Sequence, residues 1–254
     1  MTCEFSLAHY EEILDRIQSV GRHRIVTVSD VANALCEEDF ILLRHDLDIA
    51  VEPAIEMAKA EEARGVRTCY YVRLHAPHYN AMDAETLDLL LEIEGRGHEL
   101  GLHYEPGWFQ ARNADVADGI RADIATLESL LGHRLPSISQ HEPSMGPVLG
   151  DLPSGYPCAY QRHLIVGINY HGDSGFKWRE GCLCKKIETV ERMHILIHPE
   201  NWIRPQGTWE DALRHHARSF CDATQKRMET HIESQRIYLA NRDRLDAERR
   251  ERYD

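Results

Sequence analysis

Residues suited to acid–base and metal chemistry stand at the ends of short apolar runs in this chain. Ile41-Leu42-Leu43 leads directly into Arg44-His45-Asp46-Leu47-Asp48. Such a run reads as a buried parallel strand, and its carboxyl end is where α/β sheets expose catalytic side chains. Asp46 and Asp48 alternate with Leu47, so extended backbone points both carboxylates to one side. There they can share a cation or divide the roles of base and ligand.

Three further segments follow the same design. In Gly97-His98-Glu99-Leu100-Gly101-Leu102-His103-Tyr104-Glu105, strand alternation puts Glu99, Gly101 and His103 on one face and His98 on the other, which makes His103 the better ligand candidate. Met193 to Pro199 closes an apolar run with His198. Ser137 to Pro143 is a weaker version that ends in His141. Strand ends offering Asp, His, His and His form a constellation with more weight than any member.

With these residues in place, the chain resembles the polysaccharide deacetylase family, metal-dependent enzymes that remove acetyl groups from sugars on a distorted (β/α) barrel. Arg44-His45-Asp46-Leu47-Asp48 is similar to the family's Thr-Phe-Asp-Asp-Gly motif with one residue inserted, and Gly97 to His103 resembles its Gly-His-x-Ile-Gly-x-His motif. Ile195-Leu196-Ile197-His198 resembles the late Leu-x-His motif. The resemblance covers roughly Phe40 to Trp202. It implies Asp46 as base, His198 as general acid, and Asp48 and His103 as ligands of a divalent metal, zinc foremost. The family's second metal histidine would fall at Gly107, so the third ligand is expected from His141 or from Glu105. Asp173 and Trp178 are similar to an Asp and Trp that wall the family's pocket, Tyr104 is a further wall candidate, and Arg44 or another pocket arginine is expected to orient Asp46.

Simpler readings stand beside these. Asp48 precedes a helical pattern from Ala50 and is equally suited to capping it. His98 reads as a hydrogen-bonded structural residue. With 16 histidines in the chain, His75, His78, His171, His215 and His216 read as surface or pocket-wall residues. A cytoplasmic amidohydrolase acting on a small non-sugar amide would use the same atoms, and a non-catalytic sugar-binding relative would explain the histidine missing at Gly107.

The elements that must position these residues alternate along the chain. Helical periodicity marks Leu7 to Val20, Val51 to Arg64 with a stop at Gly65, Ala84 to Glu94, and Ala114 to Leu131 with a stop at Gly132; strands are expected near Arg24 to Val28, Thr68 to Leu74 and Glu99 to His103. This order favours a parallel α/β barrel in one domain spanning 1–254, with a charged helical segment at about 208–254 that is a candidate homo-oligomer contact. Pro143 to Cys158, rich in Pro and Gly, is expected to be a loop overhanging the pocket of a single small sugar. A net charge of -13 argues against a nucleic-acid surface. The start of the chain shows neither a signal peptide nor a membrane span, so the expectation is a cytoplasmic enzyme acting on an activated sugar of surface-polysaccharide synthesis. The seven cysteines, an odd count without secretory context, are expected as reduced thiols, and Cys182-x-Cys184 lacks the spacing of a zinc pair.

Overall fold

A computed structural model of the chain describes residues 3–32, 39–143, 155–205 and 207–252. Helix α1 (Leu7–Val20) starts where the Ser6 hydroxyl accepts a hydrogen bond from the His9 N–H at 3.2 Å, and it stops at Gly21, whose φ of 64° is the left-handed conformation glycine adopts without strain. Its apolar positions Tyr10, Ile13, Leu14 and Ile17 share one buried face. Helix α6 (Val116–Leu131) is built the same way, with Asp115 capping at 2.8 Å and Gly132 at φ 78°.

Among the described residues, seven parallel strands form one sheet: β1 (Arg24–Val26), β2 (Phe40–Leu47), β3 (Cys69–Val72), β4 (Glu99–Tyr104), β5 (Ile138–Gln140), β6 (Asn169–Gly172) and β7 (Arg192–Ile197). The path runs β5-β4-β3-β2-β7-β6. Strand β2 is the hub, since its first half pairs with β1 at Phe40–Leu42 and its second half with β3 at Arg44–Leu47, while β7 takes the other edge. Crossover helices α3 (Glu52–Glu62), α4 (Ala84–Gly95) and α6 link β2 to β5 in turn, as parallel pairing requires. Short helices α2 (Val28–Ala32), α5 (Pro106–Gln110), α7 (Arg162–Ile165) and α8 (Pro199–Trp202) complete this part, with a 3-10 turn at Leu183–Lys185.

Strands β2 and β7 contain continuous apolar runs, Phe40–Leu43 and Ile195–Ile197, because both of their faces are covered there. Outward residues Ile41 and Leu43 of β2 and Ile195 and Ile197 of β7 pack with α1, and Leu100 and Leu102 of β4 pack with α3, α4 and α6. Inward residues Leu42, Cys69 and Tyr71 form a smaller cluster with Val26, Val28 and Phe40. Fully burying each aliphatic side chain stabilises the fold by about 1.5–3 kcal/mol. Gly101 is fixed by close approach: a Cβ there would lie 2.5 Å from the Ser137 carbonyl oxygen and 2.6 Å from the Tyr71 ring.

Arg44 shows that the sheet curls. Its guanidinium bonds Ser139 on β5, three strands away, and Tyr170 on β6, two strands away in the opposite direction. In a flat sheet the first of these strands would lie about 14 Å off, at about 4.8 Å per strand, beyond the reach of an arginine. The architecture is therefore a curled parallel sheet covered by helices. Full closure into the expected barrel is not reached by a regular ladder among the described residues; β5 adds one parallel bridge, Ile138 to Cys158, on its outer edge. Strand β6 escapes sequence reading because Asn169-Tyr170-His171-Gly172 contains no apolar run.

The chain divides into two compact units, Met1–Ala212 and Leu213–Asp254. The second is the greater part of helix α9 (Trp209–Glu251), which carries exposed Phe220, Met228, Ile232, Ile237 and Leu239 among charged residues. No described helix is long and apolar enough to cross a membrane.

Candidate metal centre and catalytic cleft

Strand alternation sorts β2 as expected for its carboxylates. Arg44 and Asp46 turn to the concave face, and Asp48 follows just past the strand end on the same side. His45 faces outward instead, where its Nε2–H meets Glu61 of α3 at 2.6 Å, so the imidazole that accompanies the two carboxylates in sequence does not join them. Helix α3 begins after Val51 with no side-chain cap, so Asp48 is not a helix cap.

At the carboxyl ends of the strands, Asp48, His103 from β4 and His141 from the end of β5 converge. Asp48 Oδ1 lies 3.4 Å from His103 Nε2 and 3.2 Å from His141 Nδ1, and the two ring nitrogens are 3.3 Å apart. Asp48 Oδ1 is buried and makes no hydrogen bond of sound geometry among the described residues. The three atoms thus crowd one point, where His141 Nδ1 and His103 Nε2 are also within hydrogen-bond distance of each other. His103 Nδ1 sits 3.2 Å from the Ser139 carbonyl oxygen, a contact that places the hydrogen on Nδ1 and leaves Nε2 as a lone-pair donor. Burial pushes the Asp48 carboxyl up, but His103, His141 and His198 together hold it well below the usual carboxylate range.

Asp46 flanks this triangle on one side. Its Oδ2 lies 3.3 Å from His103 Nε2, and its Oδ1 accepts a hydrogen bond from Arg44 Nη1 at 3.1 Å. Arg44 is fully buried and also donates to the hydroxyls of Ser139, Tyr160 and Tyr170. It lies beneath the cleft rather than in its wall, which corrects its expected place in the pocket while keeping its orienting contact with Asp46.

His198 flanks the other side, with Nε2 3.5 Å from Asp48 Oδ2. Its Nδ1–H meets Asp173 at 2.6 Å, and its backbone N–H also donates to that carboxylate. Burial lowers the affinity of His198 for a proton, but Asp173, with Asp48 and Glu200 beyond it, outweighs burial and holds its pKa well above the ordinary value. Asp173 is fully buried and accepts a further hydrogen bond from Trp202 Nε1 at 2.8 Å, so it is a support for His198 and not the pocket wall expected of it.

Three other expected pocket residues lie elsewhere. Tyr104 is fully buried among α-helical side chains, with its hydroxyl donating to Gln140, because alternation along β4 turns it away from His103. Trp178 packs on Phe5 and Trp202, drawn into an apolar cluster beneath the site. Glu105 forms an ion pair with Arg73 and accepts from the His75 N–H, so the structure does not bring it to the triangle, and Gly107 contributes no side chain from α5.

These residues surround a cleft of about 570 Å³, within the usual range for a small-molecule site. Its lining also includes Arg73, Tyr160, Tyr170 and Glu200, which the motif reading missed. Arg73 stands just past the end of β3, and Glu200 lies in α8, the short helix that follows β7. Burial pushes the Glu200 carboxyl up to about 8, against the opposing pull of His198. Glu142 and Phe176, both in the lining, have φ of 46° and 60°, and left-handed non-glycine backbone of this kind clusters at functional sites. Residues 144–154, most of the expected overhanging loop, lie outside the described residues.

Fold and site together define an α/β protein with a candidate three-ligand metal centre in a strand-end cleft. No protein-family model matches the chain, and no curated protein matches it.

Proposed function

We propose that this protein is a metal-dependent hydrolase that removes an acyl group, N-acetyl foremost, from an amino sugar. The observation that carries this reading is the placement of Asp46 with Arg44 on one side of the Asp48–His103–His141 triangle, and of His198 with Asp173 on the other. The triangle fits a divalent ion. Tetrahedral zinc, with bonds to N and O of about 2.0–2.1 Å, sets neighbouring ligand atoms roughly 3.3 Å apart, and the observed edges are 3.2, 3.3 and 3.4 Å. Three protein ligands with the cleft side open is the pattern of catalytic zinc, although mixed carboxylate and imidazole donors suit other divalent metals as well.

When bound, such an ion supplies Lewis-acid polarisation of the acyl carbonyl. Asp46, held by Arg44, accepts the proton of the attacking water. His198 carries a proton at Nε2 because Asp173 stabilises its charged form, and it protonates the departing nitrogen as the carbon–nitrogen bond breaks. His198 is thereby held in the protonated form that an acid partner requires. The distorted deacetylase barrel, a cytoplasmic location and an activated sugar of surface-polysaccharide synthesis belong to the same proposal, and the size of the cleft supports a single sugar conjugate over a polymer.

Acetate release from nucleotide-linked N-acetyl sugars and chitin-like oligomers, beside the ring-opening or ammonia-releasing hydrolysis of ureides, tests it. The expected result is turnover of a monosaccharide conjugate that falls about 10²- to 10⁴-fold in Asp46→Asn with metal content unchanged. Preference for long oligomers would refute the substrate size, and turnover of ureides alone would favour an amidohydrolase. Full activity in Asp46→Asn would remove the base assignment.

A further inference from the structure

A second group of metal-type ligands lies on the opposite face of the sheet from the cleft's Asp46. Cys3 precedes α1, His9 is in the first turn of α1, Cys182 precedes the turn Leu183–Lys185, and Cys184 is within that turn. Their ligand atoms all lie within 4.8 Å of one another. Cys182 Sγ is 3.2 Å from both Cys184 Sγ and His9 Nε2, and Cys3 Sγ is 3.7 Å from Cys184 Sγ. All three cysteines are unpaired thiols.

Chance packing of thiols does not account for the rest of the arrangement. His9 Nδ1 lies 3.1 Å from Glu12 Oε2, so the carboxylate takes the ring N–H and directs the Nε2 lone pair at the sulfurs. A carboxylate behind a ligating imidazole is the usual support of a zinc histidine. Zinc–sulfur bonds of about 2.3 Å set neighbouring sulfurs roughly 3.8 Å apart and sulfur and nitrogen roughly 3.6 Å apart in a tetrahedron, and the cluster needs only small adjustments to reach that shape.

We propose that Cys3, His9, Cys182 and Cys184 form a structural zinc site, closed by four protein ligands and separate from the cleft. The short spacing of Cys182 and Cys184 hides it in the sequence, because the other two ligands come from the distant amino-terminal segment. The ion would tie residues 3–9 to the segment between β6 and β7, whose one regular element is the 3-10 turn Leu183–Lys185. That junction matters to the cleft. Phe5, between two of the ligands in sequence, packs on Trp202 at 4.9 Å, and Trp202 holds Asp173, the support of His198.

Cobalt substitution of the whole, reduced chain separates the two sites. Only a thiolate site produces sulfur-to-cobalt charge-transfer absorption with intense tetrahedral bands, since Asp48, His103 and His141 contain no sulfur. The expected results are that absorption in the wild type, its persistence in His103→Ala/His141→Ala, and one zinc per chain retained by that variant and released by a mercurial thiol reagent. Cys182→Ser/Cys184→Ser should lose the absorption and one equivalent of zinc, with a melting temperature several degrees lower. A wild-type cobalt protein without thiolate bands would overturn the proposal, as would three thiols that react freely without releasing metal or a native disulfide among them. Should the double serine variant fail to fold, the wild-type spectrum decides alone.

Discussion

The carboxylate of Asp173 accepts both the backbone N–H and the Nδ1–H of His198, which fixes one tautomer of the imidazole and aims Nε2 into the cleft. Asp173→Asn keeps an acceptor for the backbone but removes the charge that holds His198 protonated. Turnover is expected to fall on the order of 10²-fold, the low end of what a positioned acid contributes, with KM and metal content little changed. Steady-state kinetics beside metal analysis checks this; a large rise in KM with kcat intact would mean that Asp173 shapes substrate binding instead.

The metal triangle makes a prediction about its least expected corner. His141→Ala leaves two protein ligands, and the expected result is loss of the cleft metal comparable to that in His103→Ala, whereas Glu105→Gln retains it because Glu105 is engaged by Arg73. Metal content should be read in a Cys182→Ser/Cys184→Ser background or by cobalt spectroscopy, so that the thiolate cluster does not mask the loss. Retention in His141→Ala with loss in Glu105→Gln would exchange the two roles.

Much of this site could be read from the chain because strand ends obey simple rules. Alternation separates Asp46 from His45 and His103 from His98, and the structure follows it, with His98 held by Thr68 and the Ala58 carbonyl. The span of α1 and the stop of α6 at Gly132 are legible because periodicity and a left-handed glycine act locally, whereas α6 starts after its Asp115 cap rather than at the expected Ala114. The failures are tertiary. Nothing local in Asp173 or Trp178 says which tryptophan will meet the carboxylate, and it is Trp202, about thirty residues on, that does so. Tyr104 stays out of the cleft for a different reason: alternation along β4 sets it on the face opposite His103.

Arg44 and Asp46 form an ion pair that is almost entirely enclosed. Arg44→Met removes the donors that Asp46, Ser139, Tyr160 and Tyr170 share, and leaves a buried carboxylate without its cation. Such a change costs about 3–5 kcal/mol, to be measured by urea denaturation. Asp46→Asn in the same background should restore part of the loss, because the two groups share one interaction. Strict additivity of the two substitutions would show that the pair is not energetically coupled.

A fully buried carboxylate on the other face gives the protein an acid limit. Glu61 accepts hydrogen bonds from Tyr10, His45, Thr68 and Tyr70. Burial pushes its carboxyl up, yet His45, His98 and the hydrogen bonds hold it below the ordinary glutamate value of 4.5. A group depressed in the folded state contributes stability that is complete above its unfolded pKa and is lost as pH falls through the folded one. Wild-type stability should therefore decline as pH drops below about 4.5. Glu61→Gln cannot make this contribution at any pH: it should be less stable at neutrality by about 3 kcal/mol, and its curve should approach the wild-type curve in acid. Denaturant midpoints across a pH series measure both, and parallel curves would mean that Glu61 is not the group that sets the acid limit.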